Sequence, residues 1–241
     1  MATTDSFSEE LTLDIKWRAK EFLNVREAIS KFSTELENYN GMILRKEFTE
    51  EHRQEKDRIV DELLFFCRMS LPLIYAHWEG FFKHSLRAYL KHISTSEVNL
   101  SELTCEIIAY KLDAFMKKLQ GKASFTHKKE FVSEYAEKMA SIAKFSKGEL
   151  KVDTRSNLNY EVVNELCEKF VLDIKQFSPH ESIIDRLVNQ RNSICHGENS
   201  NVVNSAQIIE YLDVVMELFE VIHTQLCQKV AARDFLKERA A

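Results

Sequence analysis

The stretch IVDELLFFCRMSLPLIYAHWEGFFKHSLRAYL, residues Ile59 to Leu90, is apolar on nearly every side of a helical projection. A helix with no face left for water belongs at the centre of a helical fold. Pro72 lies inside it, where it removes a backbone donor and crowds the preceding turn, which predicts a kink or a split. The ten residues before it, TEEHRQEKDR, are almost wholly polar. The helix, counted from about Phe48 to Ile93, should therefore project into solvent at its start.

Upstream, Leu11, Leu13, Ile15, Trp17, Phe22, Leu23, Val25, Ile29 and Phe32 fall mostly at helical spacing, which predicts a helix from about Ser8 to Glu37. NYNG (Asn38 to Gly41) reads as the turn that ends it. Downstream, Ser101 is placed to cap a helix over Glu102 to Leu119, GKASFTHKK reads as a basic loop, and Glu130 to Phe145 as a further helix. Lys147 to Asn159 is the least periodic stretch and reads as a loop. Helices are expected over Tyr160 to Leu172 and from about Asn204 to Lys237. The domain division is a helical extension over 1–50 and one helical domain over 51–241.

Composition agrees. Gly 5 and Pro 2 in 241 residues leave little material for hairpins and tight turns, so the fold class is all-α. A net charge of -5 argues against a protein that coats nucleic acid nonspecifically, so an RNA contact needs a local basic patch. Cys67, Cys105, Cys167, Cys195 and Cys227 are odd in number and hold no CxxC pair, which fits reduced, mostly buried thiols and a cytoplasmic location. The N-terminus has no signal-peptide pattern, and no apolar run is long enough to span a membrane.

The strongest local signals flank the helix from Pro179 to His196. Ser178-Pro179-His180-Glu181 has the form of a capping box with proline at the first helical position. Gly197 suits a left-handed C-terminal position. In projection Ile183, Ile184, Leu187, Val188, Ile194 and Cys195 make one apolar face with Arg191 near its middle. A permanent charge there needs a buried carboxylate, or it lines a cleft that receives an anion. His196 follows five residues on, at a helix C-terminus, which favours its cationic form. An arginine aimed at an anion and a titratable histidine can together serve phosphoryl chemistry: the first stabilises charge, the second moves a proton. The spacing alone also fits a salt-bridged arginine and a capping histidine.

LVNQRNSICHGE (Leu187 to Glu198) resembles the R-x4-6-H signature of HEPN domains, including the polar Asn192 after the arginine. LPLIYAHWEGFFK (Leu71 to Lys83) and TRSNLNYEVVNELCEKF (Thr154 to Phe170) resemble the MAE-type branch of HEPN-like nucleases, and the three blocks follow in the expected order from about Asp57 onward. The resemblance implies a bundle of four to five core helices. It also implies a homodimer in which two Arg–His helices face each other in a composite active site. The implied activity is metal-independent RNA cleavage by 2′-hydroxyl attack, with Arg191 and His196 catalytic and Asn192 supporting. It further implies a role as toxin or effector in toxin–antitoxin, restriction or antiphage defence, with an antitoxin or defence-system protein as a possible partner. The alternative is a noncatalytic HEPN module that binds nucleotide, RNA or a partner protein.

Glu79 sits in an apolar, aromatic run, where it either orients Arg191 or lies on the rim; Tyr75, four residues earlier, shares its face. Lys83 and Arg87, in the basic end of the central helix, and Lys128 and Lys129 in the next basic cluster are RNA-backbone candidates, or simply solvated charge. Asn157 and Asn159 match the family block and equally suit a loop and an N-cap. The eight histidines include no HxxxH or HExxH pair, so neither metal nor cofactor is expected.

Overall fold

The computed structural model describes residues 4–117, 124–198 and 203–237. Among them the fold is all-α: α1 Thr4–Leu44, α2 Glu50–Thr95, α3 Cys105–Met116, α4 Phe125–Ala140, α5 Tyr160–Phe170, α6 Glu181–Cys195 and α7 Ser205–Ala232. The only extended pairing among these residues is two isolated bridges, Asn99 with Ile142 and Leu103 with Leu236. The chain divides into two compact units. One comprises residues 13–81 and 179–220; the other comprises 1–12, 82–178 and 221–241.

The first unit is built on a long helical hairpin. Arg18 meets His77, Phe32 meets Phe66 and Asn40 meets Lys56, so α1 and α2 run antiparallel. The turn expected at Asn38 to Gly41 does not form, because α1 continues to Leu44. Tyr39 packs edge-on against Phe48 and at a tilt against His52, which extends the hairpin contact past the asparagines. The reversal comes at 45–49, where Lys46 takes φ 61. Thr49 and His52 then cap α2 reciprocally, the His52 amide donating to Thr49 Oγ1 and the Thr49 amide to His52 Nδ1. Pro72 does not split α2, which is one element from Glu50 to Thr95. Ile74, Tyr75 and Trp78 are buried, but Leu64, Phe65, Met69 and Leu73 are exposed, so against expectation α2 keeps one face open to water.

A buried polar cluster pins the two helices together. Arg18, 7% exposed, donates to Asp14 from Nε at 3.0 Å and to His77 Nδ1 and the His77 carbonyl from Nη1, both at 3.2 Å. Since the guanidinium can only donate, Nδ1 is the acceptor, and the imidazole proton sits on Nε2, 2.8 Å from Glu21. Burial holds the His77 pKa below its ordinary value, opposed by Glu21 and assisted by Arg18. His77 is therefore neutral, and its contact with Glu21 is a hydrogen bond, not an ion pair. Gly80 leaves the room that Arg18 fills, since a Cβ there would stand 3.2 Å from Nη1.

In the second unit α3 begins later than expected, at Cys105. Ser101 lies in a short 3-10 turn over Leu100–Glu102, where Glu102 accepts the Asn99 amide. α4 starts inside the stretch read as a basic loop, because Ser124 caps it by accepting the His127 amide, and it ends at Ala140 rather than Phe145. No residue of α4 is buried, and Phe131 stacks on Phe115 at 4.4 Å. The loop at 147–159 is present, and Asn159 caps α5 by accepting the Val162 amide at 3.0 Å. Cys67 and Cys167 are buried, but Cys105 and Cys195 are exposed, against the expectation of mostly buried thiols. No described helix is long and apolar enough to cross a membrane.

Candidate functional site

α6 carries the candidate residues, and its inner face fixes how it sits. Ile184, Leu187 and Val188 are buried at helical spacing. With Trp78 of α2 and Tyr211, Val215 and Leu218 of α7, Ile184 and Leu187 line an apolar seam too tight for water. The Tyr211 hydroxyl, fully buried, accepts from Arg186 Nε at 2.9 Å and donates to Gln190 Oε1 at 2.7 Å, while Arg186 pairs with Glu210. These polar bonds set the rotation of α6 about its axis, because a buried phenol satisfied on both sides tolerates no slip.

The start of α6 departs from the expected capping box. Ser178–His180 form a 3-10 turn, Ser178 Oγ donates back to the Lys175 carbonyl, and the α-helix begins at Glu181 without a side-chain cap. Pro179 lies in that turn, so it is not the first residue of the α-helix. The other end is as expected. Gly197 takes φ +78, its amide donates to the Ile194 carbonyl, and the Glu198 amide reaches Ser193. This is a Schellman closure with His196 as the capping residue. Arg68 of α2 donates to the Glu198 carbonyl, tying the turn after His196 to the hairpin.

Arg191 is half-buried, with its guanidinium carbon 3.7 Å from the centroid of the Tyr75 ring. Tyr75 is 4% exposed. A guanidinium set over a buried aromatic ring is held by a cation–π contact. The half-buried position explains why an arginine is tolerated among apolar neighbours: the apolar face is narrower than the sequence suggested, and Cys195 at its far end is exposed. Asn192 is half-buried beside Arg191, and His196 is exposed. Five residues of helix separate Arg191 from His196 by about 140° of rotation and roughly 7.5 Å of rise. Within one copy the two side chains therefore leave the helix in different directions.

Tyr75 and Arg191 are thus brought together, with Asn192 and His196 on the same helix. Glu79 is half-buried on α2 in the same unit. Lys83, Arg87, Lys128 and Lys129 belong to the other unit. Lys128 and Lys129 are exposed on α4, and Arg87 reaches the Leu150 carbonyl at 3.4 Å. Among the described residues no cluster of histidine, cysteine and carboxylate side chains could hold a metal ion.

Sequence reasoning missed Arg68 and the Arg186–Tyr211–Gln190 bonds, whose partners lie over a hundred or about twenty residues away. It also missed the Arg18–His77 cluster, for which the Asp14–Arg18 spacing on an apolar face was an available signal.

Residues 13–228 match the RiboL-PSP-HEPN family. The chain belongs to that family. The HEPN superfamily is thereby established over most of the sequence, the N-terminal helix included from residue 13 onward, whereas the sequence likeness had pointed to the MAE-type branch, which this match does not specify. Membership supports a HEPN-type nuclease or RNA-related function. No curated protein and no solved structure matches the chain.

Proposed function

We propose that this HEPN chain is a metal-independent endoribonuclease, with Arg191 holding the scissile phosphate and His196 moving a proton. The observation that carries the reading is the Arg191 guanidinium set over buried Tyr75, on the same helix whose closed end presents His196 to solvent. The guanidinium edge offers paired N–H donors to two phosphoryl oxygens. Those donors gain strength as charge builds on the pentacovalent phosphate, which is the differential binding that lowers the barrier.

In the proposed reaction the 2′-oxygen attacks phosphorus as its proton passes to a base. The bond from phosphorus to the 5′-oxygen breaks, and an acid protonates the departing oxygen. The products are a 2′,3′-cyclic phosphate and a 5′-hydroxyl. One imidazole cannot accept and donate in the same step, and within one copy His196 and Arg191 diverge. Two copies of α6 in a homodimer supply both the base and the acid, and each His196 then works beside the other copy's Arg191. Asn192 supports the site next to Arg191. We further propose that the activity serves as a toxin or effector in defence, restrained by an antitoxin or defence-system protein.

The test is cleavage of total RNA in EDTA by the wild type and by His196→Ala, both checked for folding and mass. Cleavage by the wild type alone, leaving cyclic-phosphate ends, is the expected result. RNA or nucleotide binding without cleavage by either protein would replace this reading with a noncatalytic HEPN module.

A further inference from the structure

The second unit holds a cavity of about 380 Å³ between α3, the end of α4 and the segment that follows α4. Small-molecule sites span roughly 300–1,000 Å³, so the space suits a ligand larger than water. Leu100, Leu112, Phe115 and Ala143 line it, all apolar and all buried. Ile142 lines it too and is 48% exposed, an apolar side chain that the rest of the unit leaves partly uncovered.

Three lysines, Lys111, Lys138 and Lys144, and one carboxylate, Glu149, complete the wall. The carboxylate is already paired. Lys111 Nζ donates to its two oxygens at 2.8 and 2.7 Å, and also to the Lys144 carbonyl. Those bonds engage all three donors of that ammonium. The other two lysines keep donors available. Lys144 Nζ donates to the Ser94 carbonyl at 2.9 Å, which engages one of its N–H groups. Lys138 Nζ lies 3.7 Å from Glu134, beyond hydrogen-bond length, and 5.3 Å from the centroid of the Phe115 ring. An exposed pair of that kind contributes little and is readily exchanged for a better partner.

The sign of this cavity runs against that of the whole chain. With a net charge of -5, the protein as a whole attracts cations and repels anions. A preference for an anion at this place is therefore a local property of Lys138 and Lys144.

We propose that this cavity binds a small carboxylate with an apolar tail, the tail against Leu112, Phe115 and Ile142 and the head between Lys138 and Lys144. A carboxylate presents two oxygens, one for each ammonium. Burial of the tail drives binding, and the charge-assisted hydrogen bonds set its orientation and the sign of the head group accepted. A cation of the same length would meet two like charges. The ligand also joins two elements. Lys138 belongs to α4, in which no residue is buried, and a helix so lightly packed opens at low cost. A molecule that bridges Lys138 to Leu112 on α3 adds contacts that α4 lacks, so occupancy couples to the order of α4.

Isothermal titration with decanoate, decylamine and decanol, each below micelle formation, compares head groups on one tail. Decanoate should bind at one molecule per chain, at least about 10-fold more tightly than the other two. Lys138→Glu with Lys144→Glu, whose side chains reach solvent, should weaken it by about 100-fold, roughly tenfold for each ammonium. Ile142→Asp should weaken it by about 10-fold. Lys147→Glu with Lys151→Glu, the same change of charge at exposed positions outside the cavity, should leave it unaltered. Hydrogen exchange on the wild type decides the matter even if the variants fail to fold: decanoate should slow deuterium uptake in α3 and α4. No binding, equal affinity for decylamine, unchanged affinity in the Lys138 and Lys144 variant, or protection confined to other helices would overturn the site.

Discussion

The neutral, buried His77 makes a prediction about pH. Its Nδ1 accepts from Arg18 and its Nε2–H faces Glu21, so the folded protein has no site ready for a second proton. Protonating Nδ1 would break the 3.2 Å bond and set an imidazolium against a guanidinium. The folded pKa is accordingly held below the ordinary 6.5, first by burial. In the unfolded chain the same histidine titrates near that ordinary value. As pH falls below about 6.5 the unfolded state takes up a proton that the folded state refuses. Stability therefore drops with falling pH, and the loss stops once the folded pKa is reached. The limiting slope for one proton is about 1.4 kcal/mol per pH unit. His92, also lowered chiefly by burial, adds in the same direction. Replacing His77 with glutamine removes one titrating group while offering Arg18 an acceptor and Glu21 a donor. Urea unfolding at pH 7.5, 6.5 and 5.5 reads the outcome. The wild type should lose stability across the lower interval, and His77→Gln should lose less, by up to about 1.4 kcal/mol per pH unit. Intercepts will differ because the substitution itself costs stability, so the slopes decide. Equal slopes for the two proteins would refute the neutral, Arg18-bound imidazole.

Other substitutions test the site and the elements that hold it. Arg191→Ala should keep its fold, since the side chain is half-buried, yet lose about 10²–10³-fold in cleavage kcat/KM, the cost of removing a donor to a developing oxyanion. Tyr75→Leu should weaken cleavage by about 5–30-fold through the loss of roughly 1–2 kcal/mol of cation–π support, measured as kcat/KM beside a urea control. Gly197→Ala meets no atom within 4 Å, so its cost is backbone strain alone at φ +78, about 1–2 kcal/mol in urea unfolding. Asn159→Ala should cost about 1 kcal/mol by removing the cap of α5, read in the same assay.

The turns show where sequence signals lose to packing. Asn38 to Gly41 holds three turn-forming residues, but Tyr39 has two aromatic partners, and the helix runs through. Ser178 and Glu181 have the right spacing for a capping box, but the serine bonds backward to Lys175, and a 3-10 turn takes their place. Local propensities are worth a few tenths to about 1 kcal/mol per residue, so one well-placed ring or a competing hydrogen bond reverses them.

The all-α class, the burial of Ile74, Tyr75 and Trp78 in α2, the left-handed Gly197 and the Arg191–His196 helix were all determined by the sequence alone. Each depends on interactions within a few turns: periodic burial, the absence of a Cβ, or a spacing along one helix. What lies beneath Arg191 was decided only by tertiary structure. Tyr75 is 116 residues away in the chain, and no local rule says which aromatic ring of α2 a guanidinium on α6 will meet. The same holds for Arg18 on His77 and Arg68 on the turn after His196. These are contacts between helices, and they depend on the rotation and offset of each helix, which the shapes of many side chains settle together.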